Sequence, residues 1–348
     1  MIFIRTDFNE SIDASHMIRC MTLARELASS GLDSAFLISD QNSAVFLEEE
    51  GLLYTVLDTY WDNLDNPEEL EKMTEILSEE EHPVLIVDSE YVTAEYLKKL
   101  GRLAKVVYFD DLFKEKYDVD VLINHSICVD MFDYKARYGE SNIPKRLLGP
   151  QYALLRKQFE DINIDRRDNT NTDLDILFIC GDGDPLNLLY GIFEFGIENS
   201  MFKETDEYHI VIGTYNPHEK ELLELSQKYF NINLYRDISN LSDVMEECDV
   251  VVAPAGITLY ECCAVGVPAI SYSMTDEQIN NGKYFMRDAG FIYAGDVRTD
   301  RESVFYTIYN MIDDLRNDAD MQRSISLKAH KLVDGNGAIR ITREILKL

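Results

Sequence analysis

The residues of this chain that can do chemistry gather first at Gly256, Thr258 and Glu261. They lie within the run Asp249-Val-Val-Val-Ala-Pro-Ala-Gly-Ile-Thr-Leu-Tyr-Glu-Cys-Cys-Ala-Val-Gly-Val-Pro268. The run reads as a buried strand, a glycine turn, a helix, a second glycine turn and another strand. Thr258 stands at the expected helix N-cap, and Gly256 turns the backbone just before it. A helix N-terminus presents free N–H groups and the positive end of the macrodipole, which suits a phosphate or diphosphate. Glu261, expected in the first helical turn, can accept two hydroxyls of a ribose. The same spacing equally describes a strand-to-helix unit with no ligand.

Other polar residues stand at the ends of apolar runs. Asp110 and Asp111 follow Val106–Phe109; adjacent carboxylates alternate in direction along an extended chain, so one is structural and Asp111 is the candidate for a ligand. Gly181 opens Gly181-Asp-Gly-Asp-Pro185, a glycine turn without the third glycine and small-residue helix of a dinucleotide fingerprint. Arg5 closes the first run, where it can reach a ligand or pair with Asp7. Tyr91, near Asp88, either lines a pocket or packs as a core aromatic. No Ser-His-Asp or Cys-His pair is suggested, and the six cysteines lack metal-ligand spacing, so no metal is expected.

These positions require a scaffold. Ile2–Arg5, Ala35–Ile38, Val84–Val87, Val106–Phe109, Val121–Asn124, Ile176–Cys180, Tyr208–Gly213 and Ile232–Tyr235 have strand length and alternate with helical patterns. Val250–Ala253 is too uniformly apolar for a strand with one wet face. The β-α alternation predicts an α/β fold with parallel sheets, helices on both faces and ligands beyond the carboxyl ends of the strands. The polar, charged stretch from Asp161 to Asp173 reads as a linker. The expected architecture is two doubly wound Rossmann-like domains, 1–160 and 174–348, facing each other across a cleft. The helix predicted at Gly337–Leu348 has no strand after it and is placed to pack back on the first domain.

Composition narrows the function. The 348 residues carry 33 Lys+Arg against 64 Asp+Glu, a formal net charge of -31. That field repels nucleic acid and anionic membranes, and no concentrated basic patch offsets it. No segment approaches ~18 consecutive apolar residues, and the opening residues lack a signal-peptide pattern. A cytosolic protein with reduced, buried thiols is expected.

The motifs resemble those of the UDP-sugar hydrolases of pseudaminic-acid biosynthesis and their spore-coat polysaccharide relatives. The resemblance runs nearly end to end, through His16-Met-Ile-Arg-Cys-Met-Thr-Leu-Ala24, Asp110-Asp111-Leu112, Asp120-Val-Leu-Ile-Asn124, Leu147-Leu-Gly-Pro-Gln-Tyr-Ala-Leu-Leu-Arg-Lys-Gln-Phe159, Thr258-Leu-Tyr-Glu261 and Ala264-Val-Gly-Val-Pro268. The carboxy-terminal half is also similar to wider GT-B glycosyltransferases, including the cell-wall N-acetylglucosaminyltransferase.

The resemblance implies a GT-B fold and hydrolysis at the anomeric carbon of a UDP-linked diacetamido-trideoxy sugar, without a cofactor. His16 matches the family's catalytic base, and an imidazole with pKa ~6.5 can accept a proton from water near neutral pH. Gly256, Ile257, Thr258, Glu261 and Gln278 match its nucleotide-binding positions; Arg5, Tyr91, Asp111 and Gly181 face the sugar or the cleft. Three departures accompany the match. Asp13-Ala14-Ser15 replaces the family's Gly-x-Gly before the histidine, Ala255-Gly256-Ile257-Thr258 replaces Gly-Gly-Ser-Thr, and Asp276-Glu277-Gln278 replaces Asp-Asn-Gln. Two other readings stay open: a GT-B glycosyltransferase using a UDP-sugar donor, and a non-catalytic paralogue that binds a nucleotide sugar.

Overall fold

A computed structural model describes residues 1–9, 12, 14–141, 143–164, 173–181, 183–236, 238 and 240–348. The chain divides into two units, Met1–Arg156 with Asn336–Leu348, and Lys157–Gly335. The division after Arg156 comes earlier than the expected boundary at 160. Most of the expected linker, residues 165–172, lies outside the described residues, as does Asp13.

The first unit contains β1 (Ile2–Arg5), α1 (Ser15–Ser29), β2 (Ser34–Ile38), α2 (Ala44–Glu49), β3 (Tyr54–Val56), α3 (Pro67–Ser78), β4 (Val84–Val87), α4 (Ala94–Leu100), β5 (Lys105–Phe109), β6 (Val121–Asn124), α5 (Tyr134–Tyr138) and β7 (Lys145–Leu148). Its sheet has seven strands in the order β3-β2-β1-β4-β5-β6-β7, and every pairing is parallel. Side chains alternate through the sheet. Ile4, Phe36, Ile86 and Ile123 enter one core with Met17 and Leu23 of α1. Phe3, Leu37, Leu85 and Leu122 enter the other with Met73 and Leu97. Burial on both faces is what makes these strands read as continuous apolar runs.

The second unit contains β8 (Asp175–Ile179), α6 (Leu188–Glu198), β9 (Glu207–Ile212), α7 (Glu219–Lys228), β10 (Ile232–Arg236), α8 (Leu241–Glu247), β11 (Val250–Pro254), α9 (Ile257–Val265), β12 (Ala269–Ser273), α10 (Asp276–Asp288), β13 (Ile292–Asp296), α11 (Arg301–Asn317) and α12 (Ala319–Leu332). Its sheet is also wholly parallel, in the order β10-β9-β8-β11-β12-β13. The last helix, α13 (Gly337–Ile345), belongs to the first unit and packs on α1.

Both sheets reverse their order once, between β1 and β4 and between β8 and β11. The carboxyl ends of strands flanking such a reversal diverge into a crevice, the usual ligand position in an open parallel sheet. All six cysteines are buried. Among the described residues, no helix is long and apolar enough to cross a membrane.

Candidate active site and nucleotide subsite

At the first reversal, the loops after β1, β4 and β5 meet the start of α1. Asp88 follows β4 directly, and its N–H donates to the Arg5 carbonyl at 2.9 Å, which fixes the loop to the end of β1. His16 and Arg19 lie three residues apart on α1 and so share a face. His16 Nδ1 is 2.6 Å from Asp88 Oδ1. Arg19 donates from Nε to Asp88 Oδ2 at 2.6 Å and from Nη2 to Asp111 Oδ2 at 2.6 Å. Its guanidinium also lies over the Phe109 ring, 4.7 Å from the centroid. From below, Cys20 Sγ approaches Asp88 Oδ2 at 3.3 Å.

The electrostatics follow from this packing. The Asp88 carboxylate is 0% exposed. Burial alone would raise its pKa, but the Arg19 charge and the bonds from Arg19 and His16 hold it well below the usual carboxylate range. Burial pulls the His16 pKa down, and the hydrogen bond and charge of Asp88 outweigh burial, so the imidazole titrates above its ordinary value. His125, just after β6, is coupled to the same cluster. Its burial and the Arg19 charge lower its pKa to about 4, which keeps it neutral.

His16 and Asp88 line a pocket of ≈ 230 Å³, together with Asp7, Ile12, Ser89, Glu90 and Tyr91. Tyr91 is 41% exposed and meets the edge of Trp61, with ring centroids 5.1 Å apart. Asp111 reaches the cluster through Arg19. Its neighbour Asp110 is the structural partner of the pair, buried and accepting from the Phe113 N–H and the Tyr134 hydroxyl at 2.9 Å each.

Arg5 takes the paired arrangement. It is 0% exposed, paired with Asp7 and, at 2.7 Å, with Glu69 of α3. Asp7 also accepts from the N–H and hydroxyl of Ser39, at 2.6 and 2.8 Å. The side chain therefore serves as a buried anchor under the pocket floor. The loop departure at Ala14 carries no backbone strain, because Ala14 sits at φ −65°, open to any L residue.

His16, Asp88 and Asp111 each place one donor atom within 4.8 Å of the others, a spacing compatible with a metal ion. The Arg19 guanidinium already lies among them, bonded to both carboxylates and 3.1 Å from His16 Nδ1. A fixed cation in that position opposes a second one.

The second reversal holds the strand-turn-helix first singled out. Three local expectations change there. The N-cap of α9 is Gly256, and Thr258 is the second helical residue. Gly256 is extended, φ −120°, so the turn does not require glycine; an added Cβ would meet nothing within 4 Å. Glu261 is the fifth helical residue, in the second turn and only 5% exposed. The second glycine turn is present as expected: Gly266 caps α9 at φ +70°, and the N–H groups of Gly266 and Val267 bond back to Cys263 and Cys262.

The α9 helix is buried along Leu259–Val265 against α8 and α12, yet its start is open, with Ile257 54% exposed. Its N-cap residue, Gly256, has no side chain to offer the first N–H groups. At α6 the capping side chain comes from before the N-cap: Asp184 accepts from the N–H groups of Leu188 and Leu189 at 2.7 and 3.0 Å. Gln278 also serves a helix start. Its Oε1 accepts the Met274 N–H at 2.8 Å while its own N–H meets Thr275 Oγ1 at 3.3 Å, a capping-box arrangement at α10. Glu277 is exposed in the first turn of α10, where the helix dipole favours a carboxylate. Gly181 follows β8 at φ +71° with open space around it.

Asp88, Arg19 and His125 were missed as site residues. For Arg19 the available signal was its three-residue spacing from His16; for His125, its position one residue past the end of a parallel strand.

Residues 197–335 match the glycosyltransferase family 28 C-terminal domain. The chain is 24% identical over 338 residues to the spore coat polysaccharide biosynthesis protein SpsG of Bacillus subtilis, covering 94% of this chain and 92% of that one. It is 24% identical over 265 residues to the UDP-2,4-diacetamido-2,4,6-trideoxy-beta-L-altropyranose hydrolase of Campylobacter jejuni, covering 75% and 86%. A Methanocaldococcus jannaschii protein, MJ1062, is 26% identical over 77% of this chain, which spans only 54% of that relative's length. Among solved structures, MurG of Acinetobacter baumannii superposes with a TM-score of 0.69 at 13% identity, over 100% of this chain and 99% of that one. The fold is GT-B, and the resemblance carried by the motifs is matched by homologues bearing those names.

Proposed function

We propose that the chain is a nucleotide-sugar hydrolase that releases UDP from a UDP-linked diacetamido-trideoxy sugar during polysaccharide or nonulosonic-acid synthesis. The observation that carries this reading is the His16–Asp88 pair at the wall of a sugar-sized pocket. A volume of ≈ 230 Å³ lies below the about 300–1,000 Å³ of pockets that enclose drug-sized ligands, so it suits one sugar ring and not a whole nucleotide sugar. The name of the Campylobacter relative supports the same chemistry.

The chemistry uses groups already in place. Donation from His16 Nδ1–H to Asp88 leaves Nε2 as the atom that accepts a proton. Water attacks the anomeric carbon, its proton passes to Nε2, and the bond from that carbon to the diphosphate oxygen breaks with its electron pair on the leaving UDP. Asp88 stabilises the imidazolium that results. Within the second unit, the N–H groups at the start of α9 are donors of the kind a diphosphate needs, and Glu261 is a carboxylate suited to ribose hydroxyls. One displacement inverts the anomeric centre.

The test is UDP release from the diacetamido-trideoxy UDP-sugar in water, with the product anomer followed by NMR, with and without excess chelator. Turnover that survives chelation and gives the inverted free sugar is expected. Turnover that disappears with chelator and returns with magnesium would contradict the assignment of charge stabilisation to α9. A glycosyltransferase reading is favoured by the family 28 domain match; it requires UDP release that depends on an added sugar acceptor and is absent in water alone. A separate result is expected for the nucleotide subsite. Glu261→Gln should weaken UDP binding by about 10- to 100-fold, the ~1.5–3 kcal/mol of a charged hydrogen bond. Unchanged UDP affinity by calorimetry in a folded variant would remove Glu261 from that site.

A further inference from the structure

We infer that Trp61, in the loop between β3 and α3, is a positioning residue for the sugar pocket, acting through Tyr91. The inference rests on the proposed role of that pocket as the sugar site. Tyr91 is the pocket's aromatic face and is carried by the loop between β4 and α4. A tyrosine in a loop, 41% exposed, has few neighbours to hold its ring. Trp61 supplies one: the two rings meet at 82°, centroids 5.1 Å apart, the edge-to-face arrangement that aromatic quadrupoles favour.

The contact is part of a larger join between the two loops. Four residues after Trp61, Asp65 Oδ2 accepts the hydroxyl of Thr93 at 2.5 Å. Thr93 is also the N-cap of α4, where its Oγ1 accepts the Tyr96 N–H at 3.1 Å. The β3–α3 loop is thus attached on both sides of Tyr91's loop segment: by Trp61 to the ring and by Asp65 to the helix start that follows. Asp88, which orients His16, begins that same segment. Trp61 therefore fixes the aromatic wall of the pocket relative to the base without itself lining the pocket. Removal of the indole should leave the proton transfer intact and loosen the seat of the sugar, which is a KM effect.

The test uses the whole chain. Trp61→Ala should raise KM for the diacetamido-trideoxy UDP-sugar by about three- to tenfold, the scale of one aromatic pair, with kcat within about twofold. Trp61→Phe, which keeps an edge-to-face partner, should restore KM. Trp61 is also the chain's single tryptophan, so emission reports on this residue alone. Saturation with the UDP-sugar should change that emission in wild-type protein and leave it unchanged in Tyr91→Ala. A folded Trp61→Ala variant with wild-type KM, or emission that ignores the sugar, would overturn the inference while leaving the hydrolase reading intact. Sugar-dependent emission without turnover would instead overturn the hydrolase reading and leave Trp61's role standing.

Discussion

His16→Asn should lower turnover by ~100-fold or more while leaving substrate affinity within a few fold. The asymmetry follows from the geometry. Asparagine can still donate to Asp88 and keep the carboxylate partnered, but it has no basic nitrogen where Nε2 stood. The pH dependence supplies an internal check. The base works as neutral imidazole, and Asp88 raises its pKa, so wild-type turnover should fall as pH drops through a value above ~6.5. The residual rate of His16→Asn should lack that limb. A variant with full turnover, or one that keeps the acid limb, would assign the proton to another group. Stability has the opposite sign: the raised pKa favours the fold below the unfolded value of ~6.5 and loses that contribution as pH rises through the folded one.

Strands buried on both faces were legible in the sequence because burial leaves them uniformly apolar. Val84–Val87, Val121–Asn124 and Val250–Ala253 fall within or on the observed strands. The strands left out are those that break this rule. Tyr54–Val56 is short, with an exposed threonine at its centre. Lys145–Leu148 opens with two cations at the sheet edge. Ile292–Asp296 contains Gly295 at φ +123°, and its register with β12 slips between Ser271 and Tyr272. Each carries a local sequence that argues for a loop, and sheet pairing overrides it.

The site was legible where one residue type at one place suffices. His16 was marked by the motif that follows it, and it lies on the wall of the pocket. It was illegible where the chemistry depends on pairing. Arg5 and Arg19 are both arginines near the carboxyl end of β1. One is buried under the pocket floor by Glu69, 64 positions away, and the other joins Asp88 and Asp111, 69 and 92 positions away. Helix capping misled similarly. Thr258 has the residue type of an N-cap, but the neighbouring turn places Gly256 there.

Arg19→Met should destabilise the first unit by about 3–5 kcal/mol near neutral pH, the cost of leaving a buried charge without its partner. Methionine retains much of the packing over Phe109, so the loss is chiefly electrostatic. Asp88, 0% exposed, would keep His16 and Cys20 beside it among the described residues, and Asp111 would lose the guanidinium. The sign of the pH dependence separates this from a packing defect. In the wild type, the depressed Asp88 pKa contributes stability that is present above the unfolded value near 4 and is lost only as pH falls through the lower folded value. Without Arg19, burial acts with less opposition and the Asp88 pKa rises. Acid then relieves the variant before it harms the wild type. The difference in Tm should be largest between pH 7 and 8 and shrink as pH falls toward about 5, where protonation of the carboxylate removes the uncompensated charge. A pH-independent deficit would place the loss in packing and deny Arg19 its role as the cation of the site.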